Sequence, residues 1–198
     1  MSDRSHTATQ SIGRDLTGND TDRWNTPDVV FDYASERWGP FDLDAAADDR
    51  NSRCEKFISE EEDALKTSWR GTNVWCNPPY GTAMHRFVEQ AWRQVERGHC
   101  ERVVMLLACR TDTRVFHDFI FRYASEIHFV KGRIYFLSDA KHGVEHPANF
   151  ASVLVVFEKT DQPPKVSVGL WLTDRGRSAK PYGIDANTLD RFFDREAI

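Results

Sequence analysis

The sequence holds no surplus of positive charge: 26 Lys and Arg face 31 Asp and Glu, for a formal net charge of −5. This argues against the broad basic face of many nucleic-acid binders, although an acidic protein can still carry one local basic patch. No apolar run approaches the roughly 20 residues needed to cross a bilayer, so no membrane partner is expected. The polar N-terminus lacks an apolar signal-peptide core, and the expectation is a cytoplasmic protein. Cysteine is sparse, with Cys54, Cys76, Cys100 and Cys109 alone. No two of them form a C-x-x-C pair, which removes a zinc knuckle and a disulfide framework. They read as inert thiols in a reducing compartment.

The 198 residues are 40% hydrophobic and include 13 Phe and 6 Trp. That is enough for one sizeable core and too little for two full domains. Residues 1–21 are rich in Ser, Thr, Asp and Gly without an apolar period and read as a flexible tail. The remainder, 22–198, reads as a single domain. Thr26-Pro27 is a helix start, with Thr as the cap and Pro at the first helical position. Val30, Phe31, Ala34 and Trp38 follow at helical spacing, and Gly39-Pro40 stops the helix.

Residues 41–47 read as a short strand running into alanines, and 74–76 as an apolar strand. An amphipathic helix presents Met84, Phe87, Val88, Ala91, Trp92 and Val95 on one face, closed by Gly98. Residues 102–108 form a strand apolar on both faces. A second amphipathic helix uses Val115, Phe116, Phe119, Ile120 and Tyr123. Strands are then expected over 127–130, 133–136 and 151–157, with a loop at 138–149 and a helix over 186–193. This order predicts an α/β sheet, mainly parallel, with an antiparallel C-terminal strand.

The most informative tetrapeptide is Asn77-Pro78-Pro79-Tyr80, between an apolar strand and a glycine-led helix. In an open α/β sheet, ligands gather at the carboxyl ends of strands. Two prolines fix the backbone and remove two N–H donors, leaving carbonyls and the Asn amide to face a guest. Tyr80 offers a flat ring for an unstacked base. The fitting chemistry is methylation of an amine conjugated to an aromatic ring. The Asn77 side-chain oxygen and the Pro78 carbonyl would accept its two hydrogens and turn its lone pair toward a methyl donor, so orientation and electrostatics supply the rate. The bland alternative is a surface turn or a polyproline docking peptide.

With its strand–turn–helix setting, this motif resembles the amino-methyltransferase superfamily. Trp24-Asn25-Thr26-Pro27, residues 41–47, Asp63-Ala64-Leu65 and Lys131-Gly132-Arg133-Ile134 narrow the resemblance, across about 24–158, to phage-type DNA N6-adenine methyltransferases (Dam-like). The resemblance implies a Rossmann-like sheet, S-adenosylmethionine as donor, and adenine in DNA, flipped out of the duplex, as acceptor. Asn77, Pro78, Pro79 and Tyr80 would be catalytic. Thr26 and Pro27 would close over the donor's methionine end, Asp44 and Ala45 would belong to the donor loop, and Asp63 and Ala64 would read the donor's adenine amine. Such donor loops usually carry two glycines; residues 44–51 here contain none. Each acidic residue also has an ordinary reading, Asp44 as a strand-end turn and Asp63 as a helix cap.

The same tetrapeptide suits an RNA base or a protein glutamine, and the missing glycines also fit an inactive fold that only binds DNA or a partner. Arg110 and Arg133 are the expected DNA contacts, ahead of Arg114; each is equally readable as a surface ion pair. His142-Gly143-Val144-Glu145-His146 has the letters of a zinc-protease motif. A helix is needed there, and Gly143 and Pro147 oppose one, so no metal is expected. A phage or prophage origin and protection against restriction nucleases follow from the resemblance alone. The recognised DNA sequence and the oligomeric state are not encoded in any motif found.

Overall fold

The computed structural model describes residues 25–137, 145–173 and 178–181. The expected N-terminal tail and the helix at 186–193 lie outside these residues. Helix α1 is Asp28–Trp38 and α2 is Met84–Glu96; a wide helical turn, Phe116–Ile120, continues into α3, Phe121–Tyr123. The strands are β1 Leu43–Asp44, β2 Lys56–Phe57, β3 Gly71–Cys76, β4 Cys100–Ala108, β5 Glu126–Lys131, β6 Tyr135–Leu137, β7 Glu145–Pro147, β8 Ser152–Glu158, β9 Lys165–Thr173 and β10 Ser178–Pro181.

Eight strands form one sheet in the order β10-β9-β5-β8-β4-β3-β1-β2, while β6 and β7 form a separate ribbon. β2, β1, β3 and β4 pair in parallel, as do β5 and β9. β8 runs antiparallel to both neighbours, β4 and β5, and β10 runs antiparallel to β9, so one reversed strand sits inside the sheet and another at its edge. The result is the expected α/β, Rossmann-like sheet. The reversed β8 is internal, and β9 and β10 were not expected. The strand expected over 133–136 instead starts at Tyr135 and pairs in the ribbon, and the expected loop contains β7.

Alternation along the central strands divides the core. Val103, Met105 and Leu107 of β4, with Val153 and Val155 of β8, join the α2 side and pack with Phe87, Val88 and Ala91. Val104, Leu106, Leu154 and Val156 face the other way, toward Val30, Ala34 and Trp38 of α1. This period-2 division of a continuous apolar run is why both faces are buried.

The start of α1 departs from expectation. Pro27, extended at φ −63° and ψ 145°, is the cap residue, and no side chain caps the helix. The Pro27 carbonyl accepts from the Val30 and Phe31 N–H groups, while the Thr26 hydroxyl is engaged elsewhere, as described below.

Between β5 and β6 the chain turns at Gly132, at φ +101°, where an added Cβ would lie 3.0 Å from the Leu172 carbonyl oxygen. Gly132→Ala should therefore destabilise the protein by about 1–3 kcal/mol. Urea denaturation checks this, and an unchanged midpoint would show that the turn relaxes freely. Among the described residues, no helix is long and apolar enough to cross a membrane.

Candidate active site

The strand directions place the carboxyl ends of β1 to β5 along one edge of the sheet. Asp44, Asn77 to Tyr80, Arg110 and Arg133 therefore all fall on that edge. Val74, Trp75 and Cys76 anchor the motif from below, each with no exposed surface. Pro78 is buried and cannot extend the ladder, so the chain leaves the sheet at Asn77.

Asn77 is oriented by Thr26, not by a neighbour in its own turn. Its Nδ2 donates to the Thr26 Oγ1 at 3.1 Å. Thr26 is only 3% exposed, so this contact is shielded from water. Behind Thr26 lies a residue that the motifs missed, Arg53. Its guanidinium donates to the Thr26 carbonyl and pairs with Asp28 Oδ1 at 2.5 Å. Its backbone N–H donates to Asp44 Oδ2 at 3.1 Å.

Asp44 is buried at the end of β1, and its Oδ1 also accepts from the Ala46 N–H at 3.3 Å. Burial pushes its carboxyl up to about 6, against the backbone donors of Arg53 and Ala46 and the Arg53 charge, which pull it down. The folded state thus holds this proton more tightly than the unfolded chain does, with its ordinary value of 3.8. The stabilising contribution is full below pH 3.8 and is lost as pH rises through about 6. Ionised Asp44 then costs on the order of 3 kcal/mol at neutral pH. Relative to wild type, Asp44→Asn should gain stability by about that amount between pH 4 and pH 7.5. Paired urea titrations measure it; a pH-independent difference would show that Asp44 titrates normally.

The segment after β1, expected to be the donor loop, turns without glycine by using its polar side chains. Asp48 Oδ1 accepts the Arg50 N–H at 2.9 Å, and Asn51 Oδ1 accepts the Asp48 N–H at 2.8 Å. The Asp48 carbonyl accepts from Asn51 and Ser52. Among the described residues, Asp63 is the one non-glycine with positive φ, so Ala45 to Ala47 need no left-handed backbone. The absent glycines are thus no obstacle to the turn. For a sulfonium donor bearing amine and hydroxyl groups, the edge offers a buried carboxylate, small side chains and close backbone. These chemically fit such a molecule.

Asp63, at φ 54°, spends its carboxylate locally. Oδ1 accepts the Leu65 N–H at 3.1 Å and Oδ2 pairs with Lys66 at 2.7 Å, and the Lys66 contact leads the causes holding its carboxyl below the usual range. Its carbonyl accepts from Lys66 and Thr67. The next residue, Ala64, is buried, and its carbonyl accepts from Trp69 Nε1 at 2.9 Å and Gln90 Nε2 at 3.3 Å, tying this turn to α2.

Tyr80 packs inward. Its ring centroid lies 4.9 Å from that of Phe150 and 5.9 Å from that of Phe136. Its hydroxyl is buried without a hydrogen-bond partner, as is Ser152 Oγ. Burial first, and then Cys76, push the Tyr80 hydroxyl far above its ordinary range. The flat ring is therefore part of an aromatic trio, two members of which come from beyond β5. Burial also raises the four thiols, Cys54 and Cys100 to about 12, in keeping with inert cysteines.

Arg110 and Arg133 are exposed on this edge. Arg114 is exposed too, and it pairs with Asp118 four residues on, at 3.4 Å. Glu145 and His146 lie in β7, a strand and not the helix that the motif would need, while His142 lies outside the described residues. No group of three or more metal-ligating side chains occurs among the described residues.

Comparison with known proteins gives the family. A family model described as DNA N-6-adenine-methyltransferase (Dam) matches residues 13–178. A DNA N-6-adenine-methyltransferase of Escherichia phage T1 is 39% identical over 118 residues, covering 57% of this chain and 48% of that protein. The chain thus spans about half the length of the T1 protein. A protein of the same description from Haemophilus phage HP1 (strain HP1c1) is 36% identical over 141 residues, covering 70% of this chain and 80% of its own. The chain belongs to the DNA N-6-adenine-methyltransferase (Dam) family.

Proposed function

We propose that this protein methylates the N6 amine of adenine in DNA, with S-adenosylmethionine as donor. The observation that carries the reading is Asn77-Pro78-Pro79-Tyr80 at the carboxyl end of β3, with the Asn77 amide fixed by a buried threonine. When bound, S-adenosylmethionine supplies a methyl group activated on a sulfonium sulfur.

The chain's own part is to hold and orient. The Nδ2 of Asn77 donates to Thr26, which fixes the plane of the amide, and its Oδ1 accepts one N–H of the target amine. The Pro78 carbonyl accepts the other. Together they pull the nitrogen out of conjugation and direct its lone pair. Tyr80 supports the flipped base by stacking. Thr26, Pro27, Asp44, Ala45, Asp63 and Ala64 form the donor side, with Asp44 as its buried carboxylate. Arg110 and Arg133 supply phosphate contacts on an otherwise acidic protein. We place the protein in the cytoplasm of a bacterial or archaeal host, encoded by a phage or prophage, marking DNA against restriction nucleases.

The test is transfer of labelled methyl from S-adenosylmethionine to unmethylated DNA, followed by base analysis. N6-methyladenine is the expected product. Donor binding without transfer to DNA would redirect the reading to an RNA base or a protein glutamine. Absence of donor binding would leave an inactive fold that binds DNA or a partner.

A further inference from the structure

Arg53 lies between two parts of the site that are distant in sequence. Through its backbone it holds Asp44 of the donor loop, and through its side chain it holds the carbonyl of Thr26, whose hydroxyl holds Asn77. We propose that Arg53 is a positioning residue that couples the donor loop to the orientation of the asparagine that receives the target amine. This rests on the methyl-transfer reading above and names a residue for that same site.

Three features favour a dedicated coupling over a surface ion pair. The Arg53 side chain is 22% exposed, whereas its partner Asp28 is 83% exposed. An exposed carboxylate contributes little as an anchor, so the contact with the Thr26 carbonyl carries the placement. The Arg53 Nε is buried without a partner. Leaving a charged donor unsatisfied is costly, and a purely structural arginine would more readily turn it to water. Finally, the guanidinium carbon lies 6.0 Å from the ring centre of Phe31, whose ring meets Trp75 edge-on at 5.4 Å. Trp75 is two residues before Asn77, so Arg53 borders the motif through packing as well as through Thr26.

A planar fork suits this role because it holds two acceptors in fixed directions. Losing it would free Thr26 to drift, and a displacement near 1 Å at an orienting group lowers turnover about a hundredfold. The phosphate contacts proposed for Arg110 and Arg133 lie elsewhere, so affinity for DNA would be largely spared.

The experiment is a double-mutant cycle in the full chain, using Arg53→Met, Thr26→Val and the pair, with unmethylated DNA and S-adenosylmethionine. Arg53→Met should lower kcat roughly tenfold to a hundredfold, with KM for DNA within about twofold. In the Thr26→Val background the same change should add less than about threefold, because the path to Asn77 is already cut. Losses that multiply would overturn the proposal. If Arg53→Met does not fold, Arg53→Lys, which keeps the charge and loses the fork, takes its place in the cycle with the same criterion. Hydrogen exchange of the Asn77 side-chain amide is read in parallel by NMR and needs no turnover. It should be slow in wild type and at least about tenfold faster in the Arg53 variant; equal rates would overturn the coupling. A wild type that transfers no methyl but shows this difference would refute the methyl-transfer reading and retain the coupling.

Discussion

Asn77→Ala should lower methyl transfer by about a hundredfold to a thousandfold, the loss expected when one oriented polar group is removed from a reacting centre. The side chain has two jobs that alanine cannot divide. Its Nδ2 ties the turn after β3 to Thr26, and in the proposed reading its Oδ1 accepts from the target amine. Asn77→Asp separates them. A carboxylate keeps an acceptor and gives up the N–H that Thr26 receives, so it should recover little activity. Single-turnover transfer at saturating donor measures both variants, with donor affinity alongside. A thousandfold loss of donor affinity at normal transfer would place Asn77 on the donor side and sink its assignment to the acceptor.

The second large effect is at Tyr80, where stability and activity should part. Tyr80→Ala removes a ring packed on Phe136 and Phe150 and should cost about 3–5 kcal/mol of stability. Transfer should fall a further tenfold to hundredfold or so, the worth of about 1–3 kcal/mol of base stacking. Tyr80→Phe keeps the ring and deletes a hydroxyl that is buried without a partner. It should leave stability unchanged or raise it by about 1 kcal/mol, with transfer intact. Denaturation midpoints and initial rates on both variants decide the matter. A clearly destabilised Tyr80→Phe would mean that the hydroxyl has a partner in solution.

The parts of this site readable from sequence are those that chain order itself brings together. Asn77 to Tyr80 are consecutive, and the apolar residues before them and the helical period after them fix where the turn must fall. The place of Asp44 at a strand end was readable in the same way, whereas its donor role comes from the family resemblance and is a proposal. Arg53 was not, because its partners Thr26 and Asp28 lie 27 and 25 residues away and no periodicity links them. Phe136 and Phe150 flank Tyr80 from beyond β5, so the motif alone gave no sign that its ring is braced by two others.

Sheet order had the same limit. The apolar runs of β4 and β8 announce buried strands, but direction leaves no mark in hydrophobicity, so the reversed strand could be expected without its place between β4 and β5. β9 contains a glycine and joins the sheet through a register irregularity opposite Phe129 and Val130. Both features blur the alternation that sequence reading depends on. Thr26 was read as a cap on the ordinary preference of threonine; the half-buried Asn77 competes for the same hydroxyl and wins.

The glycine-free turn after β1 changes where this protein can tolerate mutation. A glycine-rich loop is defined by the side chains it lacks, and nearly any substitution at its glycines introduces strain. In this chain the turn is defined by the side chains it has, Asp44, Asp48 and Asn51, while its alanines keep ordinary backbone angles. Drift can therefore pass through Ala46 and Ala47 and is blocked at the three polar positions. A family alignment scored on glycine spacing would miss relatives built this way, whereas one scored on an Asp, a tetrad later an Asp, and then an Asn would gather them.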